Sequence, residues 1–269
     1  AANGIILGEG FQVKNTTFSS EDETWTQPWG ENKKNRNHYN EMAVNLTNED
    51  HVQLTLRFRV FDDGIGFRYE YTVPTVDSLL ITDELTTFRF HRDGTSWSIP
   101  ASAETYELLY QQQPISEVET ANTPFTFKTA DGVYGSIHEA ALYDFPEMTL
   151  KQIGHYTLKA ELAPWPDGIK ARKGNHFTTS WRTVQIAPEA VGLINSSLIL
   201  NLNEPCGYAD TSWIKPMKYI GVWWEMFIGT GKDWAYSSYN RAKPGVTDYS
   251  KLTPNGRHAA NTDNSKKIY

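Results

Sequence analysis

A chain of 269 residues with 39% hydrophobic and 21% charged residues has an ordinary globular composition, with room for one large or two ordinary domains. Its formal net charge of −7 and the lack of any long Lys/Arg block exclude the concentrated basic surface that a nucleic-acid partner requires, and favour a neutral ligand or a cation. The single cysteine, Cys206, excludes an internal disulfide and a cysteine-based metal cluster. No apolar run reaches the ~18 residues of a membrane span. The first residues, AANGIILGEG, lack the basic-then-apolar pattern of an export signal. Nine Trp and 14 Tyr are many for this length, and such rings either stack on sugar faces or fill all-β cores.

In chain order, strand signals begin at Ile5-Ile6-Leu7 and Asn40–Leu46. The clearest local pattern lies between Val52 and Val73. Val52, Leu54, Leu56, Phe58 and Val60 alternate with polar residues, and after Asp62-Asp63-Gly64 the alternation resumes with Ile65, Phe67, Tyr69, Tyr71 and Val73. This predicts a β-hairpin with one wet face, on which Arg68 and Glu70 can pair with the arginines opposite. Further short strands are predicted at Leu85–Phe90, Phe125–Phe127, Val133–Ile137, Tyr156–Leu162, Phe177–Val184 and Leu193–Leu202. Helical periodicity of ten residues or more is missing before about residue 210, which argues for a β-sandwich over that span.

The pattern changes after Trp213-Ile214-Lys215-Pro216, which reads as a linker. Tyr219 to Trp224 form a continuous apolar run, the signature of a strand covered on both faces, and a glycine-punctuated exit, Gly229-Thr230-Gly231, follows. In a β/α barrel such an exit lies where ligands bind. One buried parallel strand cannot make a sheet, so residues 213–269 are expected to open a second domain without finishing it, with a helix start at Thr262 or Asp263.

Candidate chemistry is sparse. No Ser-elbow, zinc-protease, phosphate-loop, EF-hand or dinucleotide motif is present. Residues Trp25 to Glu41 are dense in groups that bind sugars or fix loops, with His38 read as a hydrogen-bonded structural histidine. Glu107 and Glu139 both sit in aromatic company, where a carboxylate is costly unless it meets a donor or a cation. Each therefore reads as half of a buried salt bridge or as a Ca²⁺ ligand, with the salt bridge preferred. Trp223 and Trp224 read equally as core or as sugar platform.

Several strings taken together, WGENKKNRNHYNEMAV, DDGIGFRYEY, SIHEAALYDFPEM, LNLNEPC and WIKPMKYIGVWWEM, resemble glycoside hydrolase family 97, calcium-dependent α-glucosidases and α-galactosidases of Bacteroides-type bacteria. The resemblance runs along essentially the whole chain. It implies a mainly β chain, an N-terminal β-super-sandwich over residues 1–212 followed over 213–269 by a linker and the first strand of a truncated (β/α)8 barrel, Tyr219–Trp224. It also implies an α-linked oligosaccharide substrate, periplasmic localisation, Glu107 as one ligand of an active-site Ca²⁺, and Trp223 as the aromatic platform at the sugar. His138 and Glu139 match positions of interdomain or structural role. The catalytic carboxylates are expected beyond Tyr269, in the remainder of the same enzyme, about 6.5–9.5 Å apart for inversion or about 5–5.5 Å for retention. An α-glucosidase is the preferred reading, with a retaining α-galactosidase or a non-catalytic carbohydrate-binding sandwich as alternatives.

Overall fold

The computed structural model describes residues 7–28, 30–102 and 105–214. The chain divides into a unit of residues Ala1–Gly207 and a second of Tyr208–Tyr269. Of the second unit a single turn is described, in which Asp210 Oδ1 accepts from the Ser212 N–H at 2.8 Å. The expected barrel strand Tyr219–Trp224, Trp223 with it, and the helix start at Thr262 lie outside the described residues.

The first unit is antiparallel β throughout. Four long strands form a meander, β1 (Gln12–Thr26), β2 (Lys34–Thr47), β3 (Gln53–Phe61) and β4 (Gly64–Thr72). Shorter strands follow: β5 (Ser78–Ile81), β6 (Thr87–Arg89), β7 (Gly94–Ser98), β8 (Gln111–Pro114), β9 (Thr120–Asn122) and β10 (Phe125–Thr129). The set closes with β11 (Tyr134–Ala140), β12 (Met148–Gly154), β13 (Thr157–Leu162), β14 (Ala171–Gly174), β15 (His176–Thr178) and β16 (Trp181–Ala187). Ten strands make one sheet in the order β1-β2-β3-β4-β16-β11-β10-β7-β8, with β15 also on β4. A four-stranded sheet, β6-β13-β12-β9, and a two-stranded one, β14-β5, complete the set.

Two cores lie on one face of the large sheet. Phe125, Phe127 and Ile137 of that sheet pack with Met148, Leu150, Leu158 and Leu162 of the four-stranded sheet. Beside them, Val52, Val73 and Phe177 pack with Leu79 and Ile81 of the two-stranded sheet. The alternation that announced the β3–β4 hairpin is what builds this arrangement, because residues two apart share a face. Its turn is where the sequence places it: Gly64 has φ 152°, and a Cβ there would stand 2.3 Å from the Val184 carbonyl oxygen.

Two expectations are corrected. Leu193–Leu202 is not a strand: it forms two short helices, α1 (Ala190–Asn195) and α2 (Leu198–Leu202). Leu198 and Leu202, four apart and therefore on one helix face, press into a third core with Phe61, Ala140 and Trp181, on the opposite face of the large sheet. The helices cover part of the hairpin face expected to be wet. Arg57 makes a two-pronged contact with Glu70 at 2.7 and 2.9 Å and a third bond to Glu41, whose side chain is only 11% exposed. Arg59 and Arg68 lie over the Trp181 ring at 5.0 and 4.5 Å. The pairing of Glu70 with arginines across the strands is as predicted; the solvation is not.

Burial alone would raise the Glu70 pKa, but the hydrogen bonds and charges of Arg57 and Arg68 outweigh it and hold the carboxyl below its ordinary 4.5. A depressed folded-state pKa means that the stabilisation is present above the ordinary value and is lost as pH falls through the folded one. We expect thermal unfolding midpoints to drop as pH falls below about 4.5, and Glu70→Gln to lower the midpoint at neutral pH while flattening that acid limb; a series of melts between neutral and strongly acid pH checks both.

Candidate functional site

The candidate site rests on a buried charge cluster. Cross-strand pairing sets Glu139 of β11 beside Arg182 of β16, both pointing into the core side of the large sheet. Arg182 is fully buried. Its Nε and Nη2 donate to the two oxygens of Glu84 at 2.8 and 2.6 Å, and its Nη1 donates to Glu139 Oε1 and, at 2.7 Å, to Ser180 Oγ. The second Glu139 oxygen accepts from the Met148 N–H at 2.8 Å. Burial pushes the Glu139 carboxyl above its ordinary range, while Arg182, Met148 and Ser180 pull the other way. For Arg182, burial disfavours the charge, but the bonds to Glu84 and Glu139 overcome it and raise its pKa. Glu139 is thus a buried ion-pair residue, the preferred sequence reading. Its partners Arg182 and Glu84 went unrecognised, and the one signal for them was an arginine inside the apolar strand Trp181–Ala187.

From this base two loops project. The segment 141–147 leaves β11 with Ala141 and Asp144 in the left-handed region, φ 49° and 48°. It is pinned by Asn203 Oδ1 accepting from the Ala141 N–H at 3.0 Å and by Lys173 Nζ bonding Asp144 at 2.9 Å. Phe145 turns inward against both sandwich cores, with Lys173 and Arg182 over its ring at 5.6 and 5.7 Å. Across from it, the loop between β7 and β8 carries Tyr106, whose hydroxyl donates to the two oxygens of Glu147 at 2.7 and 2.6 Å. That bond to a carboxylate, aided by burial, raises the Tyr106 pKa, so the hydroxyl stays a donor. The two loops are therefore cross-braced.

Glu107 follows this brace. It is exposed, its backbone N–H donates to Thr105 Oγ1 at 3.0 Å, and its carboxylate has no hydrogen-bond or ion-pair partner among the described residues. The salt bridge preferred for Glu107 on sequence grounds is not found, and a lone outward carboxylate stands in its place. Leu109 and Tyr110 beside it are 87% and 69% exposed, and Tyr143 on the facing loop is 59% exposed. No group of three His, Cys, Asp or Glu side chains fit to hold a metal ion occurs among the described residues.

The remaining candidates have structural duties. The Trp25–Glu41 region ties the β1–β2 ribbon to α2: Trp25 Nε1 donates to Asn201 Oδ1 at 2.8 Å, and Asn201 Nδ2 donates to the Arg36 carbonyl at 2.8 Å. His38 sits on β2 with Nδ1 3.6 Å from Asp62, too far for a hydrogen bond, and that buried nitrogen has no hydrogen-bond partner among the described residues, so the hydrogen bond expected of it there is not found. His138 faces the helix-covered side of β11, and burial lowers its pKa, which keeps the ring neutral. A cleft of about 440 Å³ opens beside Phe145 and Glu84. Its two tyrosine hydroxyls are already paired, Tyr69 to Thr86 at 2.7 Å and Tyr71 to the Leu7 carbonyl at 2.9 Å.

The family model described as glycosyl-hydrolase 97 N-terminal matches residues 2–205. The chain belongs to glycoside hydrolase family 97. A solved family 97 enzyme from Pseudoalteromonas sp. strain K8, in complex with acarbose, is 42% identical and superposes with a TM-score of 0.77 over 82% of this chain and 34% of its own. A variant of that enzyme in complex with panose gives the same figures. Among curated proteins, the retaining α-galactosidase of Bacteroides thetaiotaomicron is 24% identical over 92% of this chain and 42% of its own length. A probable retaining α-galactosidase of Streptomyces bingchenggensis is 27% identical over 64% of this chain and 26% of its own. The chain thus spans about a third to two fifths of the length of the first relatives it matches.

As the N-terminal sandwich of a family 97 protein, this unit should depend heavily on its buried guanidinium. Removing one partner of a buried pair leaves uncompensated charge and costs about 3–5 kcal/mol. Arg182→Met, which strands two carboxylates, should lose stability on that scale. Glu139→Gln should lose less, because Arg182 keeps its two-pronged bond to Glu84. Urea denaturation midpoints of the two variants against the parent test the order.

Proposed function

We propose that this chain is the sandwich part of a glycoside hydrolase that cleaves α-glucosidic bonds in oligosaccharides with two carboxylates and a calcium ion. The observation that carries the reading is Glu107: an exposed, unpaired carboxylate on a loop cross-braced by the Tyr106–Glu147 bond. A carboxylate kept free of its neighbours yet held in place is what a shared ligand site asks of the domain that lends one group. In this reading Glu107 lends one ligand and the remainder of the enzyme supplies the others. When bound, calcium supplies a fixed positive charge that orients sugar hydroxyls and biases nearby carboxyl pKa values.

The chain's own residues then have separate tasks. Glu107 lends one hard oxygen ligand. Tyr106, kept protonated by Glu147, fixes the direction in which Glu107 points, and the exposed Leu109 and Tyr110 offer apolar cover that keeps water from the sugar. Trp223 stacks on the sugar ring. The catalytic acid and its partner carboxylate lie in the barrel. The glucoside preference is supported by the higher identity, 42%, to the enzyme that binds acarbose and panose. A retaining α-galactosidase is the second reading, favoured by the curated relatives at 24% and 27% identity.

The test is hydrolysis of p-nitrophenyl α-glucoside and α-galactoside by the longest natural form of the chain, with and without a calcium chelator. Faster, chelator-sensitive turnover of the glucoside supports the proposal; preference for the galactoside moves it to the second reading; sugar binding without turnover overturns both. Glu107→Gln should weaken calcium binding by at least about 10–100-fold, the loss that even outer-shell partners produce, while leaving the melting temperature of the calcium-free protein unchanged. Titration calorimetry with calcium alone reads the first effect, and an unaltered affinity would remove Glu107 from the metal.

A further inference from the structure

Strand β1 is out of keeping with the rest of the sandwich. It runs 15 residues, and every one except Trp25 is exposed. It closes one end of the large sheet and, among the described residues, pairs with β2 alone, which leaves its outer backbone edge without a described partner. The apolar ladder of the core face also runs out to this edge. Phe67 lies opposite Phe58, Phe58 opposite Met42, and Met42 opposite Phe18, which ends the row 76% exposed.

The charges along β1 are arranged in a particular order. Lys14 stands at the bulge near one end, Glu21-Asp22-Glu23 stand towards the other, and Asn15 to Ser20 between them carry no charge. Lysines, acids and bulges at strand ends normally repel an approaching strand. Here they are self-complementary. In a parallel approach of two copies, Lys14 meets Lys14 and acid meets acid. In an antiparallel approach with Phe18 on the two-fold axis, Lys14 of each copy falls within the Glu21-Asp22-Glu23 run of the other, where Asp22 already takes a two-pronged bond from Arg36 of its own chain at 2.7 Å, Asn15–Glu21 pair across the axis, and the two Phe18 rings meet. The apolar row then continues from one sheet into the next without a break.

We propose that β1 is a homodimerisation edge, at which two copies of this chain join their large sheets by antiparallel pairing centred on Phe18. An interface of seven residues per strand is small, so the dimer is weak and concentration-dependent. A two-fold contact of this kind is closed, which explains how an exposed edge escapes open-ended association.

Sedimentation equilibrium over a dilution series, on the longest natural form of the chain, tests this. A reversible monomer–dimer equilibrium is expected. Phe18→Asp should abolish it; the side chain is exposed, so the circular dichroism spectrum should not change. Lys14→Glu should raise the dissociation constant about tenfold or more. Because Asp22 is paired with Arg36 of its own chain, the charge swap is made as Lys14→Glu with Asp22→Lys and Arg36→Glu, which keeps that pair in reversed sense and should restore association. A monomer at every concentration overturns the proposal, as does a dimer indifferent to Phe18→Asp. Failure of this triple charge swap to restore association overturns the register.

Discussion

Arg182 is the constraint on which the sandwich depends. A guanidinium with no exposure to water is tolerable only when its donors and the charge are met. Glu84, Glu139 and Ser180 meet them from three different places: the connection after β5, the C-terminal end of β11, and the residue just before β16. None can move without stranding the others. The cluster is weak as a source of raw stability, because desolvation of three charged groups offsets most of their attraction. Its value lies in specificity: the large sheet and the segment leading to the four-stranded sheet must be in register with each other before the charges are satisfied.

That requirement reaches the exposed loops. Met148, whose N–H bonds Glu139, begins β12, and the residue before it is Glu147, the acceptor for Tyr106. Phe145, two residues further back, is held against the cores. A short stretch of chain therefore connects the buried cluster to the brace beneath Glu107, with one fixed point at nearly every residue. The left-handed backbone at Ala141 and Asp144 is the local strain that such a tight return imposes, and the bonds to Asn203 and Lys173 hold it in place.

How much of this could be read from sequence follows from which interactions are local. The β3–β4 hairpin was legible because alternation and Asp-Gly chemistry both act within a few residues. Phe177–Val184 was legible as strand, yet it is two pieces, β15 and β16, with Thr179 between them accepting from the Tyr69 N–H at 3.1 Å. Strand β1 was not foreseen, because Gln12–Thr26 has no apolar alternation and owes its conformation to pairing with β2. The short apolar run at Leu193–Leu202 fits strand or helix alike, and the four-residue spacing of Leu198 and Leu202 was masked by the polar Asn195-Ser196-Ser197 interruption. At the candidate site, Glu107 and Glu139 stood out as carboxylates among aromatics. What separates them, Arg182 43 positions from Glu139 in sequence and nothing comparable near Glu107, is long-range.

The strongest case for a unique register comes from two adjacent residues. Trp181 points to the helix-covered face, where it lies under Arg59 and Arg68 and against Leu198 and Leu202. Arg182 points to the other face and into the carboxylates. Side chains alternate along a strand, so a slip of β16 by one residue exchanges them. An indole would then sit between Glu84 and Glu139 with a single N–H to offer two carboxylates, and a guanidinium would enter an apolar core already crowded by two arginines. Both errors occur at once and neither relieves the other. A pair of neighbouring residues, each needed on its own face, therefore fixes the centre of a ten-stranded sheet more firmly than the apolar pattern alone, because a slipped apolar residue loses burial whereas a slipped charge also loses its counter-ions.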